Sequence, residues 1–344
     1  MTQEPQSSGL TASQRRRLYA QVIRRRKRKR RLLGVTAGLG VLAAAVAVYF
    51  AVGHSTGGDK SPATSSLPPP PRAAATSTGT TPRTTASTKK TKPGLSQLLT
   101  ASDRASFQTL ERALGGTSGL AVSWVGLSRP MVQLGTLQQG VAWSTIKVPI
   151  ALAVEARFEG FPPSSTQALL ARAITASDNA AAEELWGSLG TPHAAAGAVQ
   201  RVLAATGDAS TRVETRVLRP GFTSFGQTNW PLAAQQRFIA GLMCVANARS
   251  VLTLMQEIEP DQRWGLGTLG RSARFKGGWG PDPSGRYLVR QMGVVRLANG
   301  RLLAASIATM PADGSFTRGT AHLSQIARWL SSHVAPDAVP AANC

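Results

Sequence analysis

Apolar residues follow different rhythms along this chain, and each change of rhythm marks a segment. Leu32 to Gly53 is apolar over 22 residues without a charge or a proline, long enough to cross bilayer hydrocarbon as a helix. Residues 54–93 are Ser, Thr, Pro, Gly, Ala and Lys with almost no large apolar side chain. Such a stretch cannot bury enough surface to offset ordering entropy, so it reads as a disordered linker. A periodic pattern begins at about Leu95. Leu98, Leu99, Phe107, Leu110 and Leu114 recur at helical spacing and stop at Gly115-Gly116, predicting a helix from Leu95 to Leu114. Leu120 to Leu127 and Met131 to Leu134 read as short strands around the turn Ser128-Arg129-Pro130. Helices are predicted at 145–159, 165–175, 179–189, 195–205, 231–247 and 248–258. A strand starts at Phe275, and Tyr287 to Leu297 pairs with Leu302 to Met310 as a hairpin across Ala298-Asn299-Gly300. A last helix runs from about Thr317 to Val334. Strands at both sequence ends with helices between them predict an α/β (α+β) fold, one sheet covered by helices plus an all-helical lobe.

Charge changes this picture at the N-terminus. The formal net charge is +22. Residues 1–31 carry net +10 and residues 54–93 net +5, which leaves only +7 for the rest. The excess therefore belongs mostly to tails and not to an active surface. Arg24 to Arg31 is an unbroken basic run directly before the apolar segment. The positive-inside rule makes 1–31 a cytoplasmic tail, 32–53 a transmembrane helix and 94–344 an extracytoplasmic domain. The competing readings are a cleaved signal at Ala51-Val52-Gly53, a twin-arginine signal at Arg30-Arg31-Leu32-Leu33, and a basic run that binds nucleic acid or anionic lipid. The membrane anchor is the favoured one, with no nucleic-acid partner. Cys244 and Cys344 both fall on the predicted outer side, where one disulfide is permitted. A buried Cys244 with a free tail thiol is the alternative.

Three short stretches carry candidate chemistry. Ser144-Thr145-Ile146-Lys147 places a hydroxyl and an amine three residues apart at a predicted helix start, on one face. The helix N-terminus favours an alkoxide and a developing oxyanion. Lys147 lies among Val141, Trp143, Ile146, Val148 and Ile150, and desolvation there lowers a lysine toward base function. Ser87-Thr88-Lys89-Lys90 in the linker has the same spacing without that apolar helical context. Ser177-Asp178-Asn179 precedes a helix, and taken alone each residue is a good helix cap. Lys276-Gly277-Gly278 follows Phe275 on a predicted strand, where the plain alternative is a surface lysine before a turn; Lys92-Pro93-Gly94 has the same Lys-x-Gly spacing.

In this order, Ser-x-x-Lys, Ser-Asp-Asn and Lys-x-Gly resemble the signature of class A β-lactamases and penicillin-binding proteins. The resemblance covers roughly residues 95–335 and implies a DD-peptidase/β-lactamase-like antiparallel sheet flanked by helices. It also implies roles. Ser144 is acylated, Lys147 assists proton removal, and Ser177 relays a proton to the leaving group. Asn179 orients Lys147 and the substrate amide, while Lys276 supplies positive potential for a substrate carboxylate. The backbone N–H groups of Ser144 and Trp279, the latter next to Gly278, form the oxyanion hole. Glu214, 14 residues before Thr228, occupies the spacing of the family's deacylation base, although Leu218 stands where an Asn is usual. The plain alternative is a solvated acid beside Arg212 and Arg216. Arg290 on the next strand matches a carboxylate-binding arginine, with Arg286 as its competitor.

The implied substrate is a β-lactam, a peptidoglycan-type peptide or a small ester, handled without cofactor or metal. His54, His193, His322 and His333 are scattered, with no metal-ligand spacing. Two departures qualify the substrate class. Gly277 replaces the usual Thr or Ser, and the interval from Ser144 to Ser177 is short. They keep open a second function of another class, a catalytically weak or inactive module that binds cell wall or a protein partner.

Overall fold

The computed structural model describes residues 98–297 and 300–334. The predicted tail, transmembrane helix and linker, His54, Cys344 and part of the hairpin turn lie outside the described residues. Among the described residues no single helix is long and apolar enough to cross a membrane.

The first helix, α1 (Ala101–Leu114), starts at Thr100, whose side chain accepts from the Asp103 amide while Asp103 bonds back to Thr100. Gly115 ends it at φ 73°, a conformation a side chain would oppose. Strands β1 (Thr117–Trp124), β2 (Met131–Gly135), β3 (Arg274–Pro281), β4 (Tyr287–Arg296) and β5 (Leu302–Met310) form one antiparallel sheet in the order β2-β1-β5-β4-β3. The first and last strands thus pair with each other inside the sheet, and β3 is left at an edge. Glu111 ties α1 to this sheet, its buried carboxylate accepting from Ser118 N, Thr136 N and Thr136 Oγ1.

Alternation along β5 separates the sheet's two faces. Ala308 packs with Leu232 of helix α6 (Leu232–Gly241) on one side. Thr309 faces His322 of the final helix α8 (Phe316–His333) on the other. Between β2 and β3 the chain builds the helical lobe from α2 (Lys147–Arg157), α3 (Ser164–Thr175), α4 (Asn179–Ser188), α5 (Pro192–Ala205) and α7 (Ala248–Gln256). Helix α2 is its axis: Lys147 through Glu155 are all buried, as expected of a helix surrounded on every side.

Several predicted elements begin or end differently: the helix predicted from Leu95 starts at Ala101, and the strand predicted at Leu120 to Leu127 runs Thr117–Trp124. The segment before α2 is a 3₁₀ turn, Trp143–Ile146, and the α-helix starts only at Lys147. The single helix predicted at 231–247 stops at Gly241 and continues as a 3₁₀ turn, Leu242–Cys244. Cys244 is disulfide-bonded.

Candidate active site

Ser144 lies in the 3₁₀ turn, which has three residues per turn and so stacks Ser144 over Lys147. Ser144 is partly exposed, whereas Trp143, Thr145, Ile146 and Lys147 around it are buried. The turn is held from behind by a polar network. Thr145 Oγ1 accepts from Gln235 Nε2 at 3.0 Å, and Gln235 Oε1 accepts from Arg290 Nη2 at 2.9 Å. Arg290 also donates to Gly140 O at 2.8 Å, Val141 O at 3.1 Å and Trp230 O at 3.0 Å. This corrects the expectation that Arg290 receives a substrate carboxylate. The residue is 1% exposed, and its two Nη atoms are taken up by these carbonyls and by Gln235. Arg286, its competitor, is paired with Asp282.

The Ser177-Asp178-Asn179 segment divides its labour. Asp178 is a helix cap, accepting from Ala181 N at 3.1 Å and from Arg172 Nε at 2.7 Å. The Ala181 amide holds its carboxyl below the usual range. Ser177 and Asn179 instead face lysines. Lys147 Nζ donates to Ser177 O and to Asn179 Oδ1, both at 2.6 Å. Lys276 Nζ donates to Ser177 Oγ at 2.9 Å and to Gly277 O at 3.1 Å. Ser177 can turn its carbonyl and its hydroxyl to different ammonium groups because it sits at φ 59°, and Trp143, beside Ser144, sits at φ 49°. Left-handed backbone at residues with side chains costs about 1–3 kcal/mol each and collects at functional sites.

Burial dominates the electrostatics. It lowers Lys147 to about 7, an effect that the Asp178 and Glu183 carboxylates partly reverse. Burial also pushes Lys276 well below the usual lysine range, and neighbouring Lys147 adds to the effect. Glu183 was not anticipated from sequence. It stands four residues after Asn179 on α4, the spacing that puts two side chains on one helix face. Desolvation raises its carboxyl, while Lys147 pulls it down.

Strand β3 brings Lys276 and Gly278 to the same place. A methyl group on Gly278 would stand 2.8 Å from Ala142 O, 2.9 Å from Thr145 N and 3.0 Å from Ser144 N, and one on Gly280 would strike the Trp143 ring at 2.7 Å. Only glycine lets the edge strand approach the Ser144 turn so closely. Trp279 follows Gly278 on this strand, opposite Val289 of β4. Gly277 points the other way, where a methyl would meet the Trp264 ring at 3.0 Å. Glu214 is in the 206–231 connection. Its amide donates to Thr228 Oγ1, whereas its carboxylate accepts from Thr215 N, Arg216 N and Arg216 Nε. The bond from Arg216 holds that carboxyl below its usual range.

The chain matches no protein-family model and no curated protein. Solved structures resemble it in fold. The ancestral class A β-lactamase GNCA is 18% identical, with a TM-score of 0.53, covering 67% of this chain and 99% of that one. A β-lactamase from Chitinophaga pinensis DSM 2588 is 16% identical, with a TM-score of 0.54 and coverage of 67% and 98%. A double mutant of the chromosome-encoded β-lactamase of Vibrio parahaemolyticus is 16% identical, with a TM-score of 0.51 and coverage of 67% and 99%. At this identity the likeness speaks to architecture alone: the five-stranded antiparallel sheet with its helical lobe is a class A β-lactamase-like fold.

Proposed function

We propose that this chain is a serine hydrolase that works through an acyl-enzyme on Ser144. The observation that carries the reading is Ser177 held between two buried amines, Lys147 on its carbonyl and Lys276 on its hydroxyl. An amine with a pKa of about 7 accepts a proton at neutral pH, as an ordinary lysine does not. In the proposed sequence Ser144 Oγ attacks the carbonyl carbon of the acyl donor, and its proton passes to neutral Lys147. The tetrahedral oxyanion lies against the backbone N–H groups of Ser144 and Trp279. The Ser177 hydroxyl gives its proton to the leaving oxygen or nitrogen as that bond breaks, and Lys147 resupplies it through Ser177. Water then attacks the acyl carbon, releasing a carboxylic acid and restoring Ser144. Asn179 fixes the Lys147 amine, and Lys276 fixes the Ser177 hydroxyl.

The reading extends to the segments before the domain. Residues 1–31 are cytoplasmic, 32–53 anchor the chain in the membrane, and 54–93 space the catalytic domain away from it. The acyl donors are then esters or amides met outside the cell membrane. The carboxylate of Glu214, bound to its own loop, favours a slow second half-reaction. A module that binds without turnover is the second reading.

Intact-protein mass spectrometry after exposure to a fluorophosphonate and to benzylpenicillin tests the proposal. A covalent adduct mapped to Ser144 and absent from Ser144→Ala is the expected result. A folded protein that takes neither reagent at Ser144 refutes it in favour of the binding module.

A further inference from the structure

The helical lobe holds a groove of its own, away from the Ser144 turn. Helices α2 and α5 form two of its walls, and the turn at 189–190 and residues 245–247 complete it. Its volume is about 750 Å³, within the range of roughly 300–1,000 Å³ usual for small-molecule sites. Ser144, Lys147, Ser177, Asn179 and Lys276 are not part of its lining.

The sequence explains the hollow. Ala156 on α2 and Ala198 on α5 put only a methyl group into the space between the helices, too little side chain to close it at interior packing density. The surface left in the groove is apolar. Leu152, 2% exposed, belongs to the core beneath it, and Leu189, Val202 and Val245 are half-buried along its sides. Asn247 is its only uncharged polar side chain.

Two cations stand over this apolar surface. Arg157 comes from the last turn of α2 and Arg201 from α5, so they belong to opposing walls. The Arg201 guanidinium lies back along its helix, with Nη1 3.7 Å from where a Cβ on Gly197 would stand. Arg172, Arg216, Arg286 and Arg318 each meet a carboxylate. Among the described residues, the Arg157 and Arg201 side chains have no ion-pair or hydrogen-bond partner. No acidic residue lines the groove; Glu155 and Glu159, two residues to either side of Arg157, are outside it. Like charges gathered at an apolar hollow favour an anion.

From Arg157 and Arg201 on opposing walls of one apolar groove, we infer that the helical lobe binds a single-chain anionic amphiphile. The ligand is a free alkyl carboxylate whose chain lies against Leu152 and Val202 and whose head group is held by the two guanidinium groups, which suit the planar carboxylate. A sugar or nucleotide would meet too few polar partners on these walls. A peptide strand would find no sheet edge, because the main walls are helices whose backbone groups are bonded internally. The site stands independently of the acyl-enzyme chemistry.

The test uses the full chain in nanodiscs of neutral phosphatidylcholine, with protein-free discs as the blank for partitioning. Hexanoate, octanoate, decanoate and 1-decanol are titrated by calorimetry. Decanoate should saturate at one per chain, and each added pair of methylenes should tighten binding by about 10-fold. 1-Decanol should bind about 5-fold more weakly than decanoate, the upper range for exposed ion pairs. The double variant Arg157→Gln/Arg201→Gln should weaken decanoate by about that same factor and leave 1-decanol unchanged. Ala198→Trp and Ala156→Trp fill the groove from opposite walls, and whichever keeps the wild-type melting temperature should bind neither ligand. A folded wild-type chain that gives no decanoate heat above the blank overturns the inference. So does decanoate binding that survives in a folded Trp variant, or 1-decanol bound as tightly as decanoate. Cross-linked dimers that the Trp variants disperse, with no decanoate bound, would give the groove to a second copy of the chain and overturn it equally. No readout passes through Ser144, so a failure here leaves the hydrolase proposal standing, and an unlabelled Ser144 leaves this site standing.

Discussion

Lys276 Nζ stands 2.9 Å from the hydroxyl of Ser177, so the residue proposed to relay the leaving-group proton is fixed by an amine other than the one proposed to take the proton from Ser144. The second amine, Lys147, is wholly enclosed and bonded to Ser177 O and Asn179 Oδ1. Burial lowers both amines, and the neighbouring charge of Lys147 lowers Lys276 further.

A pH dependence follows. The base form of Lys147 is the neutral amine, whose fraction rises as pH passes upward through about 7. Acylation of Ser144 should therefore climb across pH 6–8 and level off above it. Glu183 raises the Lys147 pKa by charge, so Glu183→Gln removes that support and should move the rising limb to lower pH. Stopped-flow acylation rates over the pH range check this. A limb that stays in place, or moves upward, separates Glu183 from the Lys147 amine.

Gly278 offers a steric prediction. Gly278→Ala brings a methyl to 2.8–3.0 Å of backbone atoms of Ala142, Ser144 and Thr145, none of which is the yielding end of a side chain. Overpacking of this kind costs roughly 1–3 kcal/mol, and an ångström of misplacement at a nucleophile costs on the order of 100-fold in rate. Gly277→Ala meets only the edge of the Trp264 ring and should be milder in both respects. Melting temperature and esterase kcat/KM for the two variants decide it; equal effects would contradict the close approach of β3 to the Ser144 turn.

The elements were legible because their periodicities differ. The 302–310 strand emerged with the bounds given in the sequence reading, and most helices within a few residues. Ser144, Lys147, Ser177 and Lys276 were legible as candidates because an apolar helical context separates Ser144–Lys147 from the same spacing in the linker. Arg290 was misread for a definable reason. Alternation along β4 tells which residues share a face, but not that backbone carbonyls from 140, 141 and 230 already fill that face. The Trp264 loop is held by Gln291, 27 residues later in the chain, and no local pattern encodes such a contact. Glu183 did leave a signal, its i+4 spacing from Asn179.

Arg290 now carries a prediction opposite to a binding role. Arg290→Met would strand buried acceptors at Gly140, Val141, Trp230 and Gln235. Each unsatisfied group costs about 1–3 kcal/mol, so the variant should lose several kcal/mol of stability by denaturant titration. Arg290→Lys should recover part of that loss. In the lysine variant the ratio of kcat/KM between a carboxylate-bearing (charged) ester and a neutral one should match wild type. A selective loss of the charged ester would return Arg290 to the substrate.

Glu155 concerns stability alone. It lies on α2 in the helical lobe, 1% exposed, and among the described residues neither carboxyl oxygen has a hydrogen-bond partner. Burial raises it to about 7. A carboxyl whose folded pKa exceeds its unfolded value keeps its proton longer in the native state. Between the unfolded value of 4.5 and about 7 the native protein binds more protons than the unfolded chain, so stability falls as pH rises through that window and is flat above it. Replacing the group with an apolar one of similar length removes this penalty. Glu155→Met should therefore stabilise the protein at pH 8 by an amount on the order of 1–3 kcal/mol. The gain should shrink as pH is lowered from 7 to 5, where the wild-type carboxyl is protonated in the fold. Urea melts of both proteins at pH 5, 6, 7 and 8 measure the difference. A gain independent of pH would mean that the Glu155 carboxyl titrates alike in the folded and the unfolded chain, and a loss at pH 8 would mean that its carboxylate has a partner in the native protein.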